Sequence, residues 1–302
     1  MLVIHPGALG DVLQAVPALR VLRARGPAAP ITFVGQPRLG RLLVDLAVAE
    51  EARGFDGAGL ETLFVEAPVP RPLADALRAA SLTVSWFGSG EETYRRRLRA
   101  LAPRAIVAPP VPDDDTPVWR HLIATLAPHA LAAPAPLEPL RVPAALAGAV
   151  PPAGPRPRLL VHPGSGGAWK QWPAERFAAV IETLRERHPL EVVVHQGPAD
   201  AEAARRLLAR LAGPATTLLE PPLPRLAAVL ASATAYLGGD SGVSHLAAAV
   251  GAPSVVLFPP ATRRRWAPWS PTAVPIELSG TDRDVEEAIR ALTRVLEVTT
   301  SR

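Results

Sequence analysis

The chain contains no cysteine. Disulfides and thiolate metal centres are therefore excluded, and a reducing compartment is the simplest setting. Lysine is nearly absent as well: of 32 basic residues only Lys170 is a lysine, the others being arginine. No apolar run approaches the roughly 20 residues that a membrane-spanning helix needs. Leu2-Val3-Ile4 is too short for the apolar region of a signal peptide, and no basic stretch precedes it. A cytoplasmic protein is the expectation. The formal net charge is only +4, which implies a modest preference for anionic partners and gives no reason to expect nucleic acid.

What the chain does have is length, apolar residues and proline. Its 302 residues allow two domains or one large one, and 48% apolar against 20% charged residues describes a globular protein. Apolar runs suited to strands alternate with runs of helical period. Strands are predicted at Leu2-Val3-Ile4, Ile31 to Gly35, Thr62 to Val65, Leu82 to Phe87 and Ala105 to Ala108. Between them a helix marked by Val12, Val16, Leu19 and Leu22 runs to Gly26-Pro27, weakened at Pro17. Further helices are expected at Arg38–Leu46, Leu73–Ala80, Glu91–Leu101 and Val118–Leu126. Alternation of this kind implies parallel strands with helical crossovers.

A proline- and alanine-rich run between Ala132 and Pro157 reads as a stiff linker, which puts a boundary between residues 150 and 151. The pattern then restarts, Leu159-Leu160-Val161-His162-Pro163-Gly164 echoing Leu2-Val3-Ile4-His5-Pro6-Gly7 at an offset of 157 residues. A helix opened by Pro173 carries Phe177, Val180, Ile181 and Leu184 on one face. Strands at Glu191–His195, Thr216–Leu219, Ala235–Leu237 and Ser254–Phe258 follow, with helices around Ala204–Leu211 and Leu226–Ala231. Thr281-Asp282-Arg283-Asp284 has the form of a capping box before a last helix. The expected fold is α/β: two Rossmann-like, doubly wound domains, 1–150 and 151–302, facing each other across a cleft.

Ligands of such sheets bind beyond the carboxyl ends of the strands, and three loops there carry glycine or polar residues. Gly7-Ala8-Leu9-Gly10-Asp11 is G-x-x-G, and the next strand ends in Gly35-Gln36 without a carboxylate for a ribose, so dinucleotide binding is disfavoured. Asp11 reads either as a charge that steadies a helix start or as a general base. Gly164-Ser165-Gly166-Gly167-Ala168-Trp169-Lys170 fails the phosphate-loop pattern, since Trp169 stands where a glycine should. Its lysine is either a surface residue or a point charge for phosphate. Gly239-Asp240-Ser241-Gly242 lacks the last glycine of a nucleophile elbow, that position being Val243. It reads as a strand-to-helix turn whose first helical amides suit a phosphate. His245 then either adds a donor or is structural.

Taken in order, Leu2-Val3-Ile4 through Gly10-Asp11 to Pro17-Ala18-Leu19, then Lys170-Gln171-Trp172-Pro173-Ala174-Glu175-Arg176-Phe177, then Gly239-Asp240-Ser241-Gly242 through His245 to Gly251-Ala252-Pro253, resemble glycosyltransferase family 9, the bacterial ADP-heptose:lipopolysaccharide heptosyltransferases. The resemblance implies a GT-B fold, with the acceptor held by the first domain and the nucleotide sugar by the second. It implies inverting transfer with no metal and no cofactor besides an ADP-linked donor. A saccharide or glycolipid acceptor and a peripheral contact with the inner membrane face are implied too. Carried over, Asp11 beside Gly10 is the base, Lys170 binds the diphosphate, and Asp240, Ser241, Gly242 and His245 form the nucleotide-sugar loop. Ser165 falls where a hydroxyl meets phosphate, Gly166 and Gly10 are counted with the substrate-binding residues, and Asp200 or Glu202 matches a carboxylate for the ribose. The chain departs from the pattern at His5, where arginine is common, and at Phe258-Pro259-Pro260-Ala261-Thr262. Two alternatives stand beside this reading: a GT-B transferase acting on a protein or small metabolite with another nucleotide sugar, and a binding module without turnover. The Arg95-Arg96-Arg97-Leu98-Arg99 run is expected to be a solvated helix face.

Overall fold

A computed structural model of the chain describes residues 1–26, 28–129, 137–147 and 154–300. It contains two compact units, Met1–Pro136 and Leu137–Arg302.

In the first unit five parallel strands, β1 (Leu2–Ile4), β2 (Thr32–Gly35), β3 (Glu51–Gly54), β4 (Thr83–Ser85) and β5 (Ala105–Val107), lie in the order β3-β2-β1-β4-β5. In the second, six parallel strands, β6 (Arg158–His162), β7 (Glu191–Gln196), β8 (Thr216–Leu219), β9 (Ala235–Gly239), β10 (Ser254–Phe258) and β11 (Ala273–Glu277), lie in the order β11-β10-β9-β6-β7-β8. In each sheet the first strand is central and the chain winds away from it on both sides. That is the doubly wound topology, and it opens a crevice beside the first strand at the carboxyl edge.

Central strands read as unbroken apolar runs because helices cover both faces. Leu159, Val161, Val192 and Val194 are buried against Phe177, Val180, Ile181 and Leu184 of the helix Ala174–Arg185 and against Ala288, Leu292 and Leu296 of the helix Arg283–Thr300. Each large side chain so buried contributes about 1.5–3 kcal/mol relative to exposure.

Several elements differ from the sequence expectation. The predicted strand Thr62–Val65 is a 3-10 helix, Leu60–Phe64, entered through Gly59 at a φ of 81°, which turns Leu60 and Leu63 together into the core. A short apolar run does not distinguish the two conformations. The third strand is instead Glu51–Gly54, an exposed edge strand without apolar alternation. The helix expected from Val12 to Gly26 is two helices, Leu9–Gln14 and Val16–Arg25, meeting at Ala15, and Pro17 occupies the first turn of the second, where its missing N–H leaves no bond unmade. The helix Pro260–Trp266 and edge strand β11 were not anticipated. At Thr281–Asp284 the carboxylate of Asp284 reaches past Thr281 to the amides of Ser279 and Gly280, at 2.8 and 3.0 Å, in place of a simple capping box. The division between units falls at 136/137, where the sequence boundary was drawn at 150/151, because Leu137–Ala147 packs with the later unit: Leu140 N donates to Ala249 O at 2.7 Å. Part of the expected linker, 132–136 and 148–153, lies outside the described residues.

Candidate functional site

β6 and β9 are neighbours, with His162 in register with Gly238. Their pairing brings the loop after one strand against the turn after the other. The glycine-rich loop 163–167 ends in a 3-10 turn, Ala168–Lys170, and from it Lys170 Nζ reaches Asp240 Oδ2 at 2.8 Å. Asp240 is buried and Lys170 partly exposed. Trp169 packs its ring 5.3 Å from the same ammonium but is itself 66% exposed, a rare state for a large apolar side chain.

After Asp240 the helix Gly242–Ala249 begins, capped by Ser241, whose Oγ accepts from Ser244 N at 3.3 Å. Ser244 anchors the turn: its hydroxyl donates to Gly239 O at 2.5 Å and lies 2.9 Å from the Tyr236 hydroxyl and 3.2 Å from Ser241 Oγ. A methyl at Gly238 would lie 2.3 Å from the Tyr236 hydroxyl, so only glycine fits there. The turn therefore holds its amides in place before any ligand arrives, with the positive end of the helix dipole behind them. His245 sits in the first turn, buried, and burial pushes it down to about 4 against the pull of Asp240. At neutral pH it is an uncharged donor or acceptor and adds no positive charge.

Ser165 donates its hydroxyl to Gly167 O at 2.7 Å, while Gly166 is exposed with open space around it. Asp200 precedes the helix Ala201–Leu208, and its carboxylate fills the space a side chain at Gly164 would take: a methyl there would stand 2.0 Å from Asp200 Oδ1. Behind it lie two buried histidines, with His162 Nε2 3.8 Å from Asp200 Oδ2 and His162 Nδ1 3.0 Å from His195 Nδ1. Burial raises the carboxyl of Asp200 above its usual range and lowers His162 to about 4 and His195 to about 3. Glu202, the alternative carboxylate, is exposed and engaged by Arg205 and Arg206 of its own helix at 2.7 Å each. Between the two, the structure places Asp200 beside the loop and Glu202 out on the helix surface.

In the first unit, β1 runs into His5-Pro6-Gly7 and the helix Leu9–Gln14, placing Gly10 and Asp11 at the carboxyl edge of that sheet. Asp11 Oδ2 accepts from Ala8 N at 2.8 Å, so the helix-steadying role is present, and the side chain is half-buried with its oxygen in a fixed direction. His5 is buried beside it, pushed down to about 4 by burial and edge-on to Trp86. Gln36 Nε2 donates to Gly7 O at 3.2 Å and secures the loop from β2. Away from this edge, Arg96 and Arg97 pair with Glu66 and Arg95 with Glu92, so that the arginine run is an ion-paired surface. Trp269 is buried.

Sequence reasoning missed Ser244, Tyr236 and His195. Ser244 is one helical turn from Ser241 and was readable as a second cap. His195 becomes visible only when β6 pairs with β7.

No helix among the described residues is long and apolar enough to cross a membrane. The chain is 32% identical over 116 residues to lipopolysaccharide heptosyltransferase 3 of Escherichia coli, a match covering 37% of this chain and 34% of that protein. The match thus spans about a third of that relative's length. Among solved structures, a family 9 glycosyl transferase of Veillonella parvula superposes with a TM-score of 0.77 at 18% identity, covering 98% of this chain and 96% of that one. Escherichia coli ADP-heptose lipopolysaccharide heptosyltransferase II gives 0.73 at 21% identity, covering 98% of each. An Escherichia coli heptosyltransferase solved with ADP gives 0.72 at 18%, covering 96% and 98%. At these identities the likenesses show the fold, the α/β GT-B class with two parallel sheets expected from the sequence. The sequence profile of glycosyltransferase family 9 (heptosyltransferase) matches residues 74–288, and the chain belongs to that family.

Proposed function

We propose that the protein is an inverting, metal-independent glycosyltransferase that moves heptose from ADP-heptose to a saccharide of the lipopolysaccharide core. The observation that carries this reading is the meeting of Lys170 and Asp240, 70 residues apart, at 2.8 Å beside the capped start of the helix Gly242–Ala249. Both loops lie inside the stretch that matches the family. The curated relative is named as a lipopolysaccharide heptosyltransferase and one structural relative was solved with ADP, which favours this donor and acceptor.

In the proposed reaction an acceptor hydroxyl oxygen attacks the anomeric carbon of the donor. The bond from that carbon to the diphosphate oxygen breaks, ADP departs with the electron pair, and the hydroxyl proton passes to the carboxylate of Asp11. A diphosphate leaving without a metal needs prearranged charge and dipoles. Lys170 supplies the cation; the amides after Asp240, the hydroxyl of Ser241 and the loop of Ser165 and Gly166 supply the donors. Asp200 takes the ribose. Asp11 precedes the matched stretch, so its role rests on the Gly10-Asp11 resemblance and on its place at the carboxyl edge of the first sheet. Asp11 accepts the proton late, as the attacking hydroxyl turns acidic in the transition state.

The test is Asp11→Asn. Loss of general-base catalysis should lower kcat by about 100-fold or more, with ADP binding unchanged by calorimetry. Transfer that survives in Asp11→Asn removes Asp11 as the base, and wild-type protein that binds ADP without transferring sugar to any core saccharide is a binding module.

A further inference from the structure

Two histidines stand behind the donor-side loop with no part in the reaction above. His162 ends β6 and His195 sits one residue before the end of β7, and both are buried. Their Nδ1 atoms are 3.0 Å apart, a hydrogen-bond distance that requires one of them to carry its proton there and the other to lack it. On its far side, His162 turns Nε2 toward Asp200 Oδ2 at 3.8 Å.

The carboxylate form of Asp200 favours one direction for the protons. A carboxylate only accepts, so it favours the His162 tautomer with its proton on Nε2. Nδ1 of His162 is then bare and accepts from Nδ1–H of His195. The other arrangement, with His162 donating from Nδ1 to the His195 carbonyl at 3.4 Å, turns a lone pair toward the carboxylate. Asp200 is at the same time pinned sterically: methyl groups at Gly164 and Gly197 would lie 2.0 and 2.6 Å from its two oxygens. Its carboxylate thus bridges the loops leaving β6 and β7, and its side chain retains 13% exposure for a ligand.

We propose that His195 and His162 are positioning residues: a neutral pair in which His195 Nδ1–H donates to His162 Nδ1 and the Nε2–H dipole of His162, aimed at Asp200 from 3.8 Å and so beyond direct hydrogen-bond reach, orients Asp200 for the vicinal hydroxyls of the donor's ribose. The proposal rests on the reading of Asp200 as the ribose carboxylate. The repeat of His-Pro-Gly at 5–7 and 162–164 fits it, because His5 likewise stands buried behind the half-buried carboxylate of Asp11, with Gly7 between them. A methyl at Gly7 would meet both at 2.8 Å.

Calorimetric titration with ADP and with 2′,3′-dideoxy-ADP separates the pair from Asp200 itself. Wild type should prefer ADP by about tenfold, one hydrogen bond to a charged group, and Asp200→Asn should abolish the preference. If wild type shows no preference, or Asp200→Asn keeps it, the ribose reading fails and the proposal with it. If those two behave as expected, His195→Leu should lose the preference while binding dideoxy-ADP like wild type, and His195→Asn, whose amide replaces the Nδ1–H donor, should regain it. A His195→Leu protein that still prefers ADP, or that loses affinity for both nucleotides equally, overturns the positioning role. Nitrogen-15 spectra of wild type give a readout independent of any variant's folding: His162 should be protonated on Nε2 at pH 7.5, and protonation on Nδ1 overturns the pairing.

Discussion

Lys170 carries an ion pair with a buried partner, and that makes its removal a double loss. In Lys170→Met, Asp240 is left as a buried carboxylate without its cation, and a diphosphate loses its point charge. We expect destabilisation of about 1–3 kcal/mol, below the 3–5 kcal/mol of fully buried pairs because the lysine is partly exposed. ADP affinity should fall at least about tenfold. Thermal melts with and without ADP read both effects. A variant that melts like wild type and gains the same shift from ADP would show the pair to be incidental. At this scale the sequence singled out the groups that lie close along the chain: the single lysine, the glycines before it and the Asp240-Ser241-Gly242 turn, which the structure brings together at the Lys170–Asp240 contact. It was uninformative where chemistry depends on pairing across strands. Nothing in Glu191-Val192-Val193-Val194-His195 says that His195 meets His162, and nothing in 200–202 says that Asp200 lies against Gly164 while Glu202 pairs with Arg205 and Arg206.

The turn after β9 gives the element-scale prediction. Gly238→Ala would press a methyl to 2.3 Å from the Tyr236 hydroxyl and 2.9 Å from Ser244 Oγ, the two groups that tie the turn to the strand. We expect a loss of about 1–3 kcal/mol in stability from the overpacking, and Gly238→Ala with Tyr236→Phe should recover part of it, because the nearest clashing atom is gone. Denaturant melts of the single and double variants check this, and equal stability in both would place the strain elsewhere. The central strands were legible because they are buried on both faces and read as apolar runs. Of the four edge strands β5 and β8 were legible and the other two were not: Glu51-Ala52-Arg53-Gly54 is mostly exposed, and β11 includes Pro275, so neither carries the apolar signal of a strand. Leu60–Phe64 was misread for the opposite reason, its apolar run being too short to reveal a 3-10 period.

For the molecule as a whole, buried histidines set the response to acid. His5, His162 and His245 take a proton only near 4, and His195 near 3, whereas an unfolded histidine does so near 6.5. Below pH 6.5 the unfolded chain therefore binds more protons than the folded one, and stability falls as pH drops, by up to about 1.4 kcal/mol per pH unit for each histidine. The loss levels off below the folded values. Asp200, whose carboxyl is raised by burial, offsets a little of it. Three of the four histidines belong to the second unit, which should be the first to melt when calorimetry is run from pH 7 down to 4.5; a first unit that melts earlier would contradict this. Transfer should also survive a chelator, since Lys170 and backbone amides are assigned the task of a metal; a rate abolished by EDTA and restored by a divalent cation would refute that assignment. Two doubly wound halves were legible from strand and helix alternation, and the echo of His-Pro-Gly marked their common plan.

The partnership of Lys170 with Asp240 has a consequence for how the protein responds to its medium. A lysine with its own counter-ion, next to an uncharged His245, gives a pocket whose formal charges nearly cancel. On the proposed reading, attraction there comes from Lys170 at contact distance together with oriented N–H dipoles, both acting at short range where mobile ions screen poorly. Raising potassium chloride from 50 to 500 mM should consequently leave nucleotide affinity almost flat, where a cluster of bare cations would lose it steeply.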